Sequence, residues 1–223
     1  MMAFSVTFLQ SSHIINPNSD SNTDRIMAEK AKKLALPEVE VVVKHCENAP
    51  KLVGNWAGQA SSIPNMVDMI RASGEEYDAY IVACHSDPNI DLVREIAGKP
   101  VVGIAEASMI MGAAMGNGYA VISPSPNSIS KKIALAHKYH VDDRLKTIKV
   151  SKNDSNDSLL EAATEAKKEF GVDVIVLGCA NYAGADGYIE SKLNMPVLDG
   201  VACALVIASG MVSYNRCKKA FDR

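Results

Sequence analysis

The chain has 223 residues, of which 48% are hydrophobic and 22% charged, with a formal net charge of −3. That length suffices for one large core or two smaller ones, and the composition excludes a fibrous, collagen-like or mainly disordered chain. A slightly acidic balance with scattered Lys and Arg gives no electrostatic footprint for nucleic acid or an anionic membrane.

In chain order, Met1 to Leu9 is apolar, but no Lys or Arg precedes Arg25 and no small-residue cleavage site follows, so it does not read as a secretory leader. Short β-branched runs then alternate with longer amphipathic ones. Part of Ser5 to Ile15 reads as a strand, followed by a helix over Asp20 to Leu34, a strand at Val39 to Val43 and a helix at Ser62 to Ala72. Tyr80 to Ala83, Val101 to Ile104, Tyr119 to Ile122, Leu145 to Val150, Val172 to Leu177 and Pro196 to Leu198 supply the later strands. The helices between and after them fall at Pro88 to Ala97, Ala105 to Met115, Ser128 to Tyr139, Asp157 to Phe170, Tyr182 to Leu193 and Val201 to Lys218. Strict alternation implies βαβ units and parallel sheet, and strands that are continuously apolar imply helices on both faces. The most apolar stretch, Val201 to Val212, is about half the ~20 residues a membrane span requires.

Self-comparison shows a repeat. Tyr80-Ile-Val-Ala-Cys84, a helix and Lys99-Pro100-Val-Val-Gly103 resemble Val174-Ile-Val-Leu-Gly-Cys179, a helix and Met195-Pro196-Val-Leu-Asp199. Cysteine to proline is 16 residues in the first copy and 17 in the second. Upstream, a strand followed by Asn16-Pro-Asn-Ser-Asp parallels a strand followed by Ser123-Pro-Ser-Pro-Asn-Ser. A duplicated α/β unit follows, with two pseudo-symmetric parallel-sheet domains and the active site in the cleft between them, beyond the strand C-termini.

Five cysteines (Cys46, Cys84, Cys179, Cys203, Cys217) without a C-x-x-C pair favour free thiols in a reducing compartment, hence the cytoplasm. Cys84 and Cys179 each stand directly after a buried strand and before a helix, where N–H groups lower a thiol pKa. A lone free cysteine is usually a small buried hydrophobe. Two at equivalent points of a repeat are better explained by chemistry: inverting a carbon acid needs a base on one face and an acid on the other, with neither metal nor organic cofactor.

These motifs together resemble the Asp/Glu/hydantoin racemase superfamily, in its hydantoin and allantoin racemase branch. The resemblance runs from about Ile14 to Ser209 and is carried by Ile14-Ile-Asn-Pro-Asn-Ser, Ala83-Cys-His-Ser-Asp-Pro, Pro100-Val-Val-Gly-Ile-Ala-Glu-Ala-Ser-Met109, Leu177-Gly-Cys-Ala and Met195-Pro-Val-Leu-Asp-Gly-Val-Ala202. It implies that Cys84 and Cys179 are the acid/base pair, that Asn16, Ser86, Ser123, Ser125, Ala180 and Asn181 line the substrate site, and that the chain after about Ala204 packs back on the first domain, which gives domains of 1–104 plus 205–223 and of 105–204. The amino-acid racemases place a hydroxyl residue, usually Thr, beside both cysteines. His85-Ser86 and Ala180-Asn181 stand here instead, which favours a neutral cyclic ureide over free aspartate or glutamate. The implied activity is cofactor-independent racemisation at C5 of a 5-substituted hydantoin or of allantoin, through an enolate held by N–H groups at the strand-to-helix turns. The alternatives are an amino-acid racemase, a maleate-isomerase-like enzyme with one nucleophilic cysteine, or a two-lobed small-molecule binding protein. Homo-oligomerisation is left open.

Other features read as structural. His137 and His140 suit a solvated helix face better than a metal, Ser128-x-x-Lys131 lacks the partner motifs of an acyltransferase, and no dinucleotide or Walker loop occurs. Glu106 and Asp199 read first as helix caps or interface residues.

Overall fold

The computed structural model describes residues 10–34 and 39–221. The expected first strand begins partly outside that range: β1 is Gln10–Asn16, and the stretch from Ser5 to Leu9 lies outside the described residues. In order follow α1 (Ser21–Leu34), β2 (Val39–His45), α2 (Trp56–Ser61), α3 (Ile63–Ser73), β3 (Ala79–Val82), α4 (Ile90–Ala97), β4 (Val101–Gly103) and α5 (Ile104–Met115). The second set is β5 (Tyr119–Ser123), α6 (Ile129–Lys138), β6 (Leu145–Val150), α7 (Asn156–Phe170), β7 (Val174–Leu177), α8 (Asp186–Leu193), β8 (Val197–Asp199) and α9 (Gly200–Phe221).

The strands form two four-stranded sheets of identical order, β2-β1-β3-β4 and β6-β5-β7-β8, every pairing parallel. The repeat read from the sequence is therefore a repeat of topology. In both sheets the first and third strands are neighbours, and the crevice beyond their C-termini is where the strand order reverses, the usual ligand position of such sheets.

Side-chain alternation sorts the core into three clusters. Ile81 of β3 and Val174 and Val176 of β7 face a central cluster with Ile104, Ala107 and Met109 of α5 and Val201, Ala204, Leu205 and Ala208 of α9. Tyr80 and Val82 face outward onto α3 and α4, and Ile175 and Leu177 onto α7 and α8. Helices α5 and α9 thus pack together between the sheets, covering the inner face of both. Helix α9 is continuous across residue 204 and returns from β8 to lie against α1, β1, β3 and β4.

Local signals place the ends. Ser155 accepts the Ser158 N–H to start α7, and Gly171 stops it at φ 60°. Helix α2 is absent from the sequence reading because six residues, Trp-Ala-Gly-Gln-Ala-Ser, are too few to show a helical period. The single helix expected from Tyr182 divides: a 3₁₀ turn at Ala180–Tyr182 and Gly184 at φ 95° precede α8.

Candidate active site

The two switch points face each other across a cavity of about 170 Å³. Its floor comes from the loops after β3 and β7, with Cys84 and Cys179 among the lining residues. Its walls come from Asn18, Asp20 and Thr23 after β1, from Lys51 to Gly54 after β2, and from Pro124, Ser128, Lys131 and Lys132 after β5.

The two cysteines have matching surroundings. The backbone N–H of the residue two further on, Ser86 for Cys84 and Asn181 for Cys179, favours the thiolate form of each. Ser86 Oγ also lies 3.2 Å from Cys84 Sγ and accepts from Gln59 Nε2 at 3.2 Å. The expectation that these N–H groups lower both thiol pKa values is corrected by the structure. Burial outweighs the hydrogen bonds, raising the Cys84 thiol above its ordinary value and pushing Cys179 up to about 11.

Between the two loops lies Lys132 of α6, only 2% exposed. Its ammonium donates to Gly178 O at 2.7 Å, to His85 O at 3.2 Å and to His85 Nδ1 at 3.2 Å, so all three protons are used. Ser108 Oγ donates to Ile104 O at 2.7 Å and lies 3.2 Å from His85 Nε2, which makes Nε2 the protonated nitrogen of a neutral imidazole. Burial and the Lys132 charge hold the His85 pKa well below its usual value. Burial brings Lys132 down to about 8, against the pull of Cys179, Cys84 and Asp87.

Asp87 and Asp199 have parallel structural tasks. Asp87 accepts the N–H groups of Ala105 at 3.0 Å and Glu106 at 2.7 Å, capping α5, and the Tyr139 hydroxyl at 2.7 Å. Asp199 accepts those of Val201 at 2.8 Å and Ala202 at 3.2 Å, capping α9, with Lys30 Nζ 3.7 Å away. Glu106 braces the same corner through Arg94 at 2.5 Å. His137 lies 2.9 Å from Asp142 on the surface.

Over the mouth, Lys131 donates to the Gly54 carbonyl and sits 5.3 Å from the Trp56 ring centre. It ties the loop after β2 to α6, while Leu52 and Trp56 remain 79% and 70% exposed.

The sequence profile of the Asp/Glu/hydantoin racemase family matches residues 13–208, nearly the whole of this two-sheet body. The chain belongs to that family. It is 27% identical over 214 residues to a hydantoin racemase of Paenarthrobacter aurescens, covering 91% of each chain, and 27% identical over 211 residues to one of Rhizobium meliloti, covering 90% of this chain and 88% of that one. Its fold superposes on an allantoin racemase from Klebsiella pneumoniae with a TM-score of 0.87 at 24% identity, covering 92% of this chain and 89% of that one.

Of the residues the family resemblance implies for the site, Cys84, Cys179, Ser86, Ala180 and Asn181 line the cavity. Asn16, Ser123 and Ser125 are not among its lining residues. The Asn16 amide is used on Asp24 Oδ1 at 2.8 Å and on the Asn18 N–H at 3.3 Å, which shapes the loop. Ser123 Oγ pairs with Ser128 Oγ at 2.5 Å, and Ser125 Oγ accepts the Asn127 N–H at 3.2 Å. These side chains build the loops from which Asn18, Pro124 and Ser128 reach the cavity.

Lys132, Thr23 and the Lys51 to Gly54 segment are absent from the sequence reading. The signal for Lys132 is its place on the apolar stripe of α6, three, four and seven residues before Leu135, Ala136 and Tyr139, all of which pack on the core. Thr23 Oγ1 lies 2.7 Å from the Asn181 side-chain amide, a contact between the two halves that no local pattern marks.

Proposed function

We propose that this protein is a cofactor-independent racemase that inverts C5 of a hydantoin-type ring, a 5-substituted hydantoin or allantoin, with Cys84 and Cys179 as the acid/base pair. The observation that carries the reading is the matched pair of cysteines, delivered to one cavity from equivalent points of two like sheets. The relatives named as hydantoin racemases and the allantoin racemase with the same fold supply the substrate class.

In this reading one thiolate removes the C5 proton, the electron pair passes into the ring carbonyl as an enolate, and the opposite thiol delivers its proton to the other face. The roles exchange for the other enantiomer. Raised thiol pKa values make the thiolate scarcer but a stronger base once formed, which suits a weakly acidic C–H. The two domains, 1–104 with 205–223 and 105–204, would each contribute one thiol. The substrate is a small molecule, and the chemistry asks for no metal or organic cofactor.

The test is circular dichroism of enantiopure allantoin, a 5-alkylhydantoin and L-glutamate, each with enzyme. A ureide signal should decay to zero, and Cys84→Ala and Cys179→Ala should each slow that decay by on the order of 10²–10⁴, the usual contribution of a positioned acid or base. Racemisation of glutamate alone, or activity within about tenfold of wild type in either variant, overturns the assignment.

A further inference from the structure

Lys132 does more than join two loops. Fully burying an ammonium is costly, and neutral donors could satisfy the same acceptors, so the charge itself calls for an explanation. Its surroundings supply one. The ammonium is fixed by the carbonyl before Cys179 and by the carbonyl and ring nitrogen after Cys84, and its charge acts on both thiols. The other charged or titratable groups facing this point are Asp87 in the loop after β3, Asp154 toward Cys179, and His85, which the Lys132 bond and Ser108 hold neutral.

We infer that Lys132 is a positioning residue whose fixed positive charge balances the single negative charge that the two thiols and the substrate share throughout the reaction. This rests on the two-cysteine reading. With one thiolate, one thiol and a neutral ring, the site carries one negative charge. After proton abstraction both sulfurs are protonated and the charge is on the enolate, and after reprotonation it is on the opposite sulfur. The charge moves across the cavity but never changes in amount, so one cation held between the two loops serves all three states without moving. The device is symmetric in the two enantiomers, as racemisation requires. His85 fits the same account: following Cys84, it is the acceptor that helps fix the ammonium, not a second base.

The test is the pH dependence of iodoacetamide alkylation at Cys84 and Cys179, followed separately by peptide mass spectrometry in wild type, Lys132→Gln and Lys132→Met. Lys138→Gln, an exposed change on the same helix, is the control. Loss of a charge bonded to the residues next to both cysteines should move the half-reaction pH of both thiols upward by about one to two units, and the racemisation rate should fall mainly in kcat. Gln retains hydrogen-bond donors, so a purely structural lysine predicts no such shift. Unchanged profiles, or a shift at one cysteine only, overturn the inference. If neither variant folds, the ¹³Cε shift of Lys132 in the wild-type protein decides: an ammonium at pH 7 supports it and a neutral amine overturns it. Alkylation needs no turnover, so it stands apart from the functional reading. Wild type that racemises no ureide refutes that reading, whereas an active wild type with unshifted variants refutes only the role of Lys132.

Discussion

Gly178, the residue before Cys179, lies against the neighbouring strand, and its replacement by Ala should damage stability and rate together. A Cβ there would stand 2.5 Å from the Ile122 carbonyl oxygen, 2.8 Å from Val121 Cγ1 and 3.1 Å from Lys132 Nζ. The first of these contacts is backbone of a central strand, and the Gly178 N–H donates to that same oxygen at 2.8 Å, so the loop must move away from β5 and strain the bond. Over-packing of this kind costs about 1–3 kcal/mol, which for a chain of this size lowers Tm by roughly 2–12 °C. Because Cys179 is the next residue, a displacement approaching about 1 Å at its sulfur should lower kcat/KM by on the order of 10². Thermal unfolding followed by circular dichroism and steady-state polarimetry give the two numbers. Gly210→Ala is the control of opposite sign: a Cβ at that position in α9 meets nothing within 4 Å, and Ala should stabilise the helix by about 0.5–1 kcal/mol. A Gly178→Ala protein with unchanged Tm and a rate within about threefold of wild type would refute the close-approach argument.

Three further outcomes follow from the same geometry. If the cysteines address opposite faces of one ring, Cys84→Ser should exchange the C5 hydrogen of one enantiomer with deuterated solvent without inverting it, and Cys179→Ser should do so for the other; NMR loss of the C5 proton measures this, and exchange of the same enantiomer by both variants contradicts opposed faces. Lys131→Ala should free the loop after β2 and raise KM roughly fivefold with little change in kcat, from about 1 kcal/mol of cation–π energy; a fall in kcat at constant KM would place Lys131 in the chemistry instead. Stability should fall as pH drops below about 6.5. Just below that pH, buried neutral His13, lowered to about 4 by burial and the Lys44 charge, and His85 each gain a proton on unfolding, while the buried carboxyls Asp87, raised to about 6, and Asp199, also raised, release protons and offset the effect increasingly as pH falls further. Urea midpoints at pH 7, 6.5 and 6 check the sign, and a rising midpoint on acidification counts against it.

The legibility of this chain follows from the range of its interactions. Strands such as Tyr80-Ile-Val-Ala and Val174-Ile-Val-Leu are buried on both faces, so their own residues announce them, and the repeated cysteine-to-proline spacing exposes the duplication without any coordinates. Cavity residues are legible where backbone position alone delivers them, as at Ser86, Ala180 and Asn181. Side-chain direction is not legible where the side chain is used within its own loop: Asn16 turns back to Asp24, and Ser123 to Ser128. Lys132 stays hidden because a lysine at a helix start normally belongs to water, and its partners lie 46 and 47 residues away. The thiol pKa values reverse for a related reason: a helix-start N–H is local, but the burial that outweighs it is assembled from both halves.

Helix α9 bears on how the chain is made. Its 22 residues follow the whole second sheet in the chain, yet they cover the inner face of the first, and Gln10 Nε2 at the opening of β1 donates to Ser209 Oγ at 3.3 Å. While the polypeptide is being synthesised, the first sheet has α3 and α4 to cover one side but lacks this helix on the other. The second sheet has α5, α7 and α8, all made before α9, as most of its cover. The first sheet is therefore completed only after the whole second half has been made: until α9 packs, its inner face is covered by α1 and α5 alone, and the remaining apolar surface is open to chaperones or to a neighbouring nascent chain.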